Sequence, residues 1–280
     1  MALAYPARKA IDIAARVLCV LATLLALVPL VSVLVYVARA GIGSIDVSFF
    51  TQLPAPAGEG GGMRNAIVGT LILVGLACSI GIPLGVAAGI YLAEFGASRL
   101  AKSVRFAADV MSGIPSIAVG VFAYGIVVLT MRRFSAIAGG FALGILMLPT
   151  VTRTTEELLR LVPQTLREGA LALGVPKWRA TLRVVVVTAL PGIATGIMLA
   201  VARVAGETAP LLFTAFNNRF WSTALDRPIG SLPVQIFTYA VSPYDDWHRQ
   251  ASAAALVLVA MVLLLNIAAR LFIRVRGGAK

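Results

Sequence analysis

Six stretches of this sequence, roughly residues 17–38, 66–93, 107–130, 134–151, 186–206 and 251–273, are built almost entirely from Leu, Val, Ile, Ala and Gly. A helix crosses the hydrocarbon core of a bilayer with about 17–25 apolar residues, and each of these runs reaches that length. The expected fold class is therefore all-α: a polytopic membrane protein of six transmembrane helices. Composition agrees. With 59% hydrophobic and only 13% charged residues among 280, and a mean hydropathy of +0.93, a water-soluble domain could not hide its apolar surface. The net charge of +12 does not form one patch; Lys and Arg sit in small groups between the apolar runs, so no nucleic-acid partner is expected and lipid is. Cys19 and Cys78 lie within apolar runs without a CxxC spacing and read as small packing residues. A single histidine, His248, and the absence of HExxH leave no metal-ligand set.

Orientation follows from the basic residues. With the N-terminus inside, 16 of the 24 fall on the cytoplasmic side, seven outside, and Arg203 lies within the fifth apolar run. The bias places both termini in the cytoplasm, with Arg132 and Arg133 as the main exceptions. The first run, after Arg8, Lys9 and Arg16, is longer than the apolar part of a signal peptide and is expected to be a retained span. Residues 1–64 then form an N-terminal transmembrane helix with an external loop, and 65–280 form the main transmembrane domain, with a cytoplasmic loop over 153–187.

The external stretch LPAPAGEGGGM, Leu53 to Met63, reads as a flexible connector. Gly81, Gly85 and Gly89, Gly140 and Gly144, and Gly192 and Gly196 give three spans a face of small residues for close helix packing. Trp221, Tyr239, Tyr244 and Trp247 read as interfacial anchors.

Two places carry more chemistry. In the cytoplasmic loop, Thr165 and Glu168 have capping-box spacing, Leu166, Ala170 and Leu173 share one face, Gly174 suits the left-handed residue that ends a helix, and Pro176 opens the next one. The spacing predicts helix, glycine turn, helix. Periodicity alone leaves open whether that short helix rests on the membrane or engages a partner. The second place is RVAGETAPLLFTA, Arg203 to Ala215, which puts an arginine and a glutamate four residues apart inside an apolar run. From Val184 to Phe216 that run would approach ~50 Å as one helix, beyond a core of about 30 Å, so Gly206 and Pro210 are the expected break points. A deep Arg203 costs about 2.5–3.5 kcal/mol on an insertion scale. Either an i,i+4 ion pair locks the bundle, or Arg203 offers its planar fork of donors to an anion while Glu207 holds it in the anion's absence or accepts from a P–OH group.

Both places resemble one family. REGALALGVPKWRATLRVVVVTALPG is similar to the EAA-and-glycine coupling loop of ABC importer permeases, with Glu168 and Gly174 at the family spacing, Gly169 where alanine is usual, and Val187 where proline is usual. ARVAGETAPLLFTA, DVMSGIPSIAVGVFAYG, MLPTVTRTTEELLRLVPQTLREGALALG and SLPVQIFTYAVSP resemble the PstA-type permeases of phosphate ABC importers, a likeness that runs from about residue 45 onward. The resemblance implies a type I importer permease of MetI-like architecture in the bacterial inner membrane, moving inorganic phosphate. It implies a PstC-type second permease, a PstB-type ATPase dimer and a PstS-type extracytoplasmic binding protein as partners. Glu168, Gly169, Ala170 and Gly174 would engage the ATPase; Arg203 and Glu207 would lie on or beside the substrate pathway, with Thr208 a weaker candidate there and a packing hydroxyl as its other role. Asp109 is expected to pair with a nearby loop cation.

The chain is not expected to be an enzyme or to hold a cofactor of its own. None of Lys9, Lys102, Lys177 and Lys280 follows a glycine, so GxxxxGK[ST] is absent and ATP would be bound by the partner; GxSxG is absent too. The competing readings are a permease for another oxyanion, such as molybdate or sulfate, and an ion-coupled secondary transporter.

Overall fold

The computed structural model describes residues 5–277, and among these it is helical, with one isolated β-bridge. α1 (Tyr5–Gly41) leads through α2 (Val47–Thr51) to α3 (Arg64–Glu94); α4 (Arg99–Gly113) and α5 (Ser116–Met131) follow, then α6 (Ala136–Arg160), α7 (Gln164–Ala172), α8 (Lys177–Ala205), α9 (Ala209–Thr214), α10 (Leu232–Ala240) and α11 (Asp245–Gly277). Five of these helices, α1, α3, α6, α8 and α11, are long and apolar enough to cross a membrane. α4 and α5 qualify only together, bent by 107° at their junction, and as one broken span they bring the number to six. The faces are called inner and outer here by the charge bias; residues 1–4 and 278–280, including Lys280, lie outside the described residues.

The third span is thus not the straight helix that its apolar run suggested. Ile114 precedes Pro115 and takes extended angles (φ −72°, ψ 130°), as steric clash with a following proline ring demands, so α4 stops at Gly113. α4 is N-capped by the Ser98 hydroxyl, which accepts the Ala101 N–H at 3.1 Å.

At the centre of the bundle α3 packs on α6, both running in the same direction, so that the residue numbers in contact rise together along the two helices. A Cβ on Gly81 would meet Met147, one on Gly85 would meet Val151, and one on Gly89 would meet Thr155; from the other side Gly140 rests on Leu76 and Gly144 on Ile80. Two backbones approach this closely only where side chains are missing, and in lipid such contact is a main source of helix association. α8 joins the same way, Gly192 against Leu158 and Gly196 against Thr154, while α9 sets Pro210 on Gly120 of α5. The small-residue faces do what the spacing predicts. α1, by contrast, has none of its apolar window buried and approaches α11 near Gly41.

Two outer features correct the sequence reading. The Leu53–Met63 stretch is a docked loop and not a slack connector: Gly62 N–H donates to Leu53 O at 3.0 Å, Gly58 N–H to the Asp246 carboxylate at 2.7 Å, and Gln250 donates to Gly60 O at 3.0 Å. Its glycines earn their place by conformation, with φ of +85°, +77° and +93° at Gly58, Gly60 and Gly61. Tyr239 is fully buried and stacks on Trp247 at 4.5 Å, so it is a core residue and not a headgroup anchor. Trp221 remains part-exposed beneath Arg64, whose guanidinium lies 4.2 Å from its ring centroid. Asp46 caps α2; its bonds from the Ser48 hydroxyl and then the Phe49 N–H hold its carboxyl below the usual aspartate range. Cys78 packs beside the core, whereas Cys19 is exposed on α1, against the packing role expected of it.

Candidate functional site

The fifth span breaks where its glycine and proline suggested. α8 ends at Ala205, Gly206 takes φ −95° and ψ −2°, and α9 restarts at Ala209 with Pro210 in its first turn. Interhelix register sets the depth. Seven residues beyond Gly196 on α8 is Arg203, and seven residues outward from its contact Thr154 on α6 is Met147, which in turn rests on Gly81 of α3. Gly81 stands ~25 Å along α3 from Arg64 and ~20 Å from Glu94 at ~1.5 Å per residue, so the Arg203 level is near mid-bilayer. The α4–α5 bend is close by, since Ile114 lines a cavity of about 390 Å³ together with Ile145 and Leu146. Two interrupted helices therefore meet at one depth.

Arg203 lies on the exposed stripe of α8 formed with Pro191, Thr195 and Leu199. Its side chain is 57% exposed and Glu207 is 18% exposed, and Arg203 Nε sits 4.0 Å from Glu207 Oε1, the outer limit of an ion pair. Among the described residues the Arg203 guanidinium makes no hydrogen bond. A cation with free donors at this depth needs an acceptor, because lipid supplies none. Thr208 is half-buried in the break, and its side chain does not cap α9.

On the inner face, α7 is anchored from one side only. Pro163 occupies its N-cap position, so Thr165 lies inside the helix and the expected Thr165–Glu168 capping box does not form. Leu166 and Leu173 are exposed while Ala170 is buried, so those three residues do not share a buried face. The glycine turn forms as expected: Gly174 has φ +76°, its N–H donates to Leu171 O at 2.9 Å, and Val175 N–H reaches Ala170 O at 3.2 Å. Glu168 and Gly169 face outward, beside Leu173 at 85% exposure and Trp178 at 62%. Where proline is usual, Val187 continues the helix just past a π-turn over Thr181–Val185.

A charge cluster that the sequence reading missed ties α4 to α6. Glu156 is 2% exposed and accepts from Arg105 at 2.6 Å, Arg160 at 2.7 Å and Arg153 at 3.3 Å. Arg153 also pairs with Asp109, the cation expected for that residue, though on a helix and not in a loop. The signal was present: Arg153, Glu156 and Arg160 stand at i, i+3 and i+7 on one helical face.

Residues 81–275 match the family model described as binding-protein-dependent transport system inner membrane component. The chain belongs to this family. It is 52% identical over 232 residues to the phosphate transport system permease protein PstA of Yersinia pestis, covering 82% of this chain and 79% of that protein. It is 44% identical over 268 residues to the PstA of Xylella fastidiosa, covering 95% and 93%. A solved structure described as inward-facing conformations of the MetNI methionine ABC transporter superimposes with a TM-score of 0.60 at 19% identity, over 75% of this chain and 92% of that one, which shows a shared fold. Membership makes the chain an inner-membrane permease of an ABC importer, a transport component and not an enzyme, which works with a separate ATPase and a binding protein.

Proposed function

We propose that this chain is one of two permeases lining a conduit for inorganic phosphate, paired with a PstC-type permease, driven by a PstB-type ATPase dimer and fed by a PstS-type binding protein. The relatives' names support phosphate as the cargo. The observation that carries the reading is the Arg203 guanidinium, near mid-depth, exposed, and without a hydrogen bond among the described residues. A full charge does not face acyl chains there at a cost of about 2.5–3.5 kcal/mol when a water-filled or protein-lined path is at hand. The exposed stripe of α8 thus faces the second permease or the conduit between them. Arg203 receives the anion, Glu207 holds the guanidinium between passages, and the Gly206–Thr208 break leaves unpaired backbone only where water reaches. Glu168, Gly169, Ala170 and Gly174 belong to the helix and turn that the ATPase engages, with Leu173 and Trp178 supplying apolar contact.

The test is Arg203→Ala in the assembled importer. Phosphate uptake is expected to vanish while membrane insertion stays at least as efficient, since an insertion cost is removed. Uptake at the wild-type rate refutes the pathway role. Copurification of the second permease and the ATPase with a tagged chain separates this reading from a solitary ion-coupled transporter, which would transport alone in liposomes.

A further inference from the structure

The outer surface of α7 is open; the helix packs on the first turns of α8, and its hold on α3 and α6 is concentrated in one side chain. Arg167, one residue before Glu168, turns inward. Its Nη1 pairs with the carboxylate of Glu94, the last residue of α3, and its Nη2 donates to Leu159 O at 2.9 Å near the end of α6. The pair is largely withdrawn from water, with side-chain exposures of 19% for Arg167 and 7% for Glu94. Apart from it, Ala170 is the residue of α7 that is buried. Beside the pair lies a cavity of about 360 Å³ bordered by Glu94, Arg160, Arg167, Lys177 and Thr181, so close packing does not fill the space between α7 and the end of α3.

We infer that the Arg167–Glu94 pair is the mechanical link through which displacement of α7 is handed to α3, and through Leu159 O to α6. This rests on the reading of α7 as the helix that the ATPase engages. The physics favours this route over a packed one. A charge pair withdrawn from water resists separation far more than an exposed one, because parting leaves two poorly solvated charges. A cavity, in contrast, transmits no push. Glu94 is also the residue from which force reaches the bundle's centre, since α3 continues as one helix from Glu94 past Gly89, Gly85 and Gly81, each locked against α6. A pull at Arg167 therefore acts along the α3–α6 seam up to the Arg203 level. Arg160 borders the same cavity and belongs to the Glu156 cluster, which ties α4 to α6 beside this link.

The experiment uses the complete importer in proteoliposomes loaded with ATP, with inorganic phosphate as cargo, and reads phosphate imported per ATP hydrolysed together with the amount of ATPase that copurifies. The variants are Glu94→Gln, Arg167→Gln and the exchange Glu94→Arg with Arg167→Glu. Either single change is expected to leave the ATPase bound and hydrolysing while import per ATP falls about tenfold; the exchange is expected to recover most of the ratio. An unchanged ratio in both single variants overturns the link, as does an exchange no better than the singles. Should the single variants fail to assemble, an exchange that assembles and couples supports the link, and one that also fails to assemble reduces the pair to a folding contact and overturns it. Absence of ATPase from the purified wild type would instead refute the docking reading itself, and the link with it.

Discussion

Glu156→Gln tests the reasoning about charge inside this bundle. The substitution keeps the side-chain shape and removes one negative charge from a residue that is 2% exposed and within 3.3 Å of three guanidinium groups. Removing one partner of a buried pair costs about 3–5 kcal/mol, because the other charge stays desolvated. The lower end applies here, since Arg105, Arg153 and Arg160 retain 24%, 28% and 51% exposure and can turn partly toward water. Asp109, the other acid of the cluster, already pairs with Arg153 and is itself 54% exposed. A loss of about 3 kcal/mol corresponds to a melting shift of about 6–12 °C for a chain of this size. The assay is thermal melting of the purified chain in one fixed detergent, followed by fluorescence-detected size exclusion, with the exposed neighbour Glu157→Gln as the control expected to shift by about 2 °C or less. Equal melting of Glu156→Gln and its control would refute the claim that this carboxylate neutralises the cluster.

Two further outcomes follow from the geometry. Glu207→Gln is expected to keep transport and loosen preference for phosphate over sulfate in reconstituted uptake, since a carboxylate accepts the proton of a P–OH group and sulfate at neutral pH has none to donate; unchanged selectivity counts against that discrimination. Gly89→Val would put a Cβ 2.5 Å from Thr155 Cβ and 2.8 Å from Thr152 O, forcing α3 off α6, so folded protein in the membrane should fall sharply, whereas Gly75→Ala, with open space around it, should not; equal yields for the two would refute close packing at that seam.

What could be read along the chain was whatever depends on a residue and its near neighbours. Apolar length pointed to six spans, of which five are single helices and the sixth is the bent α4–α5 pair. Glycines at intervals of four marked which faces could touch, Gly174 ended a helix because it alone there accepts positive φ at no steric cost, and Gly206 with Pro210 marked a break. The Gly113–Ile114–Pro115 interruption was equally local, but the unbroken apolarity on either side concealed it, since hydropathy carries no information about backbone direction. The Thr165–Glu168 box failed for a related reason: Pro163 two positions earlier set the helix start first, and a cap works only at the position where the helix begins.

Contacts between distant segments required the tertiary structure. The Leu53–Met63 stretch looked slack because its partners, Asp246 and Gln250, lie nearly two hundred positions away. Glu156 showed its spacing to Arg153 and Arg160, but Arg105 comes from another helix. Tyr239 has an anchor's chemistry and lost that role to Trp247 stacked on its ring. The depth of Arg203 is the plainest case. By itself the sequence determined that a cation lies in an apolar run; only the meeting of Gly196 with Thr154, and of Met147 with Gly81, put it near mid-membrane. Depth is a relation between helices, and the register that sets it exists only once their backbones are in contact.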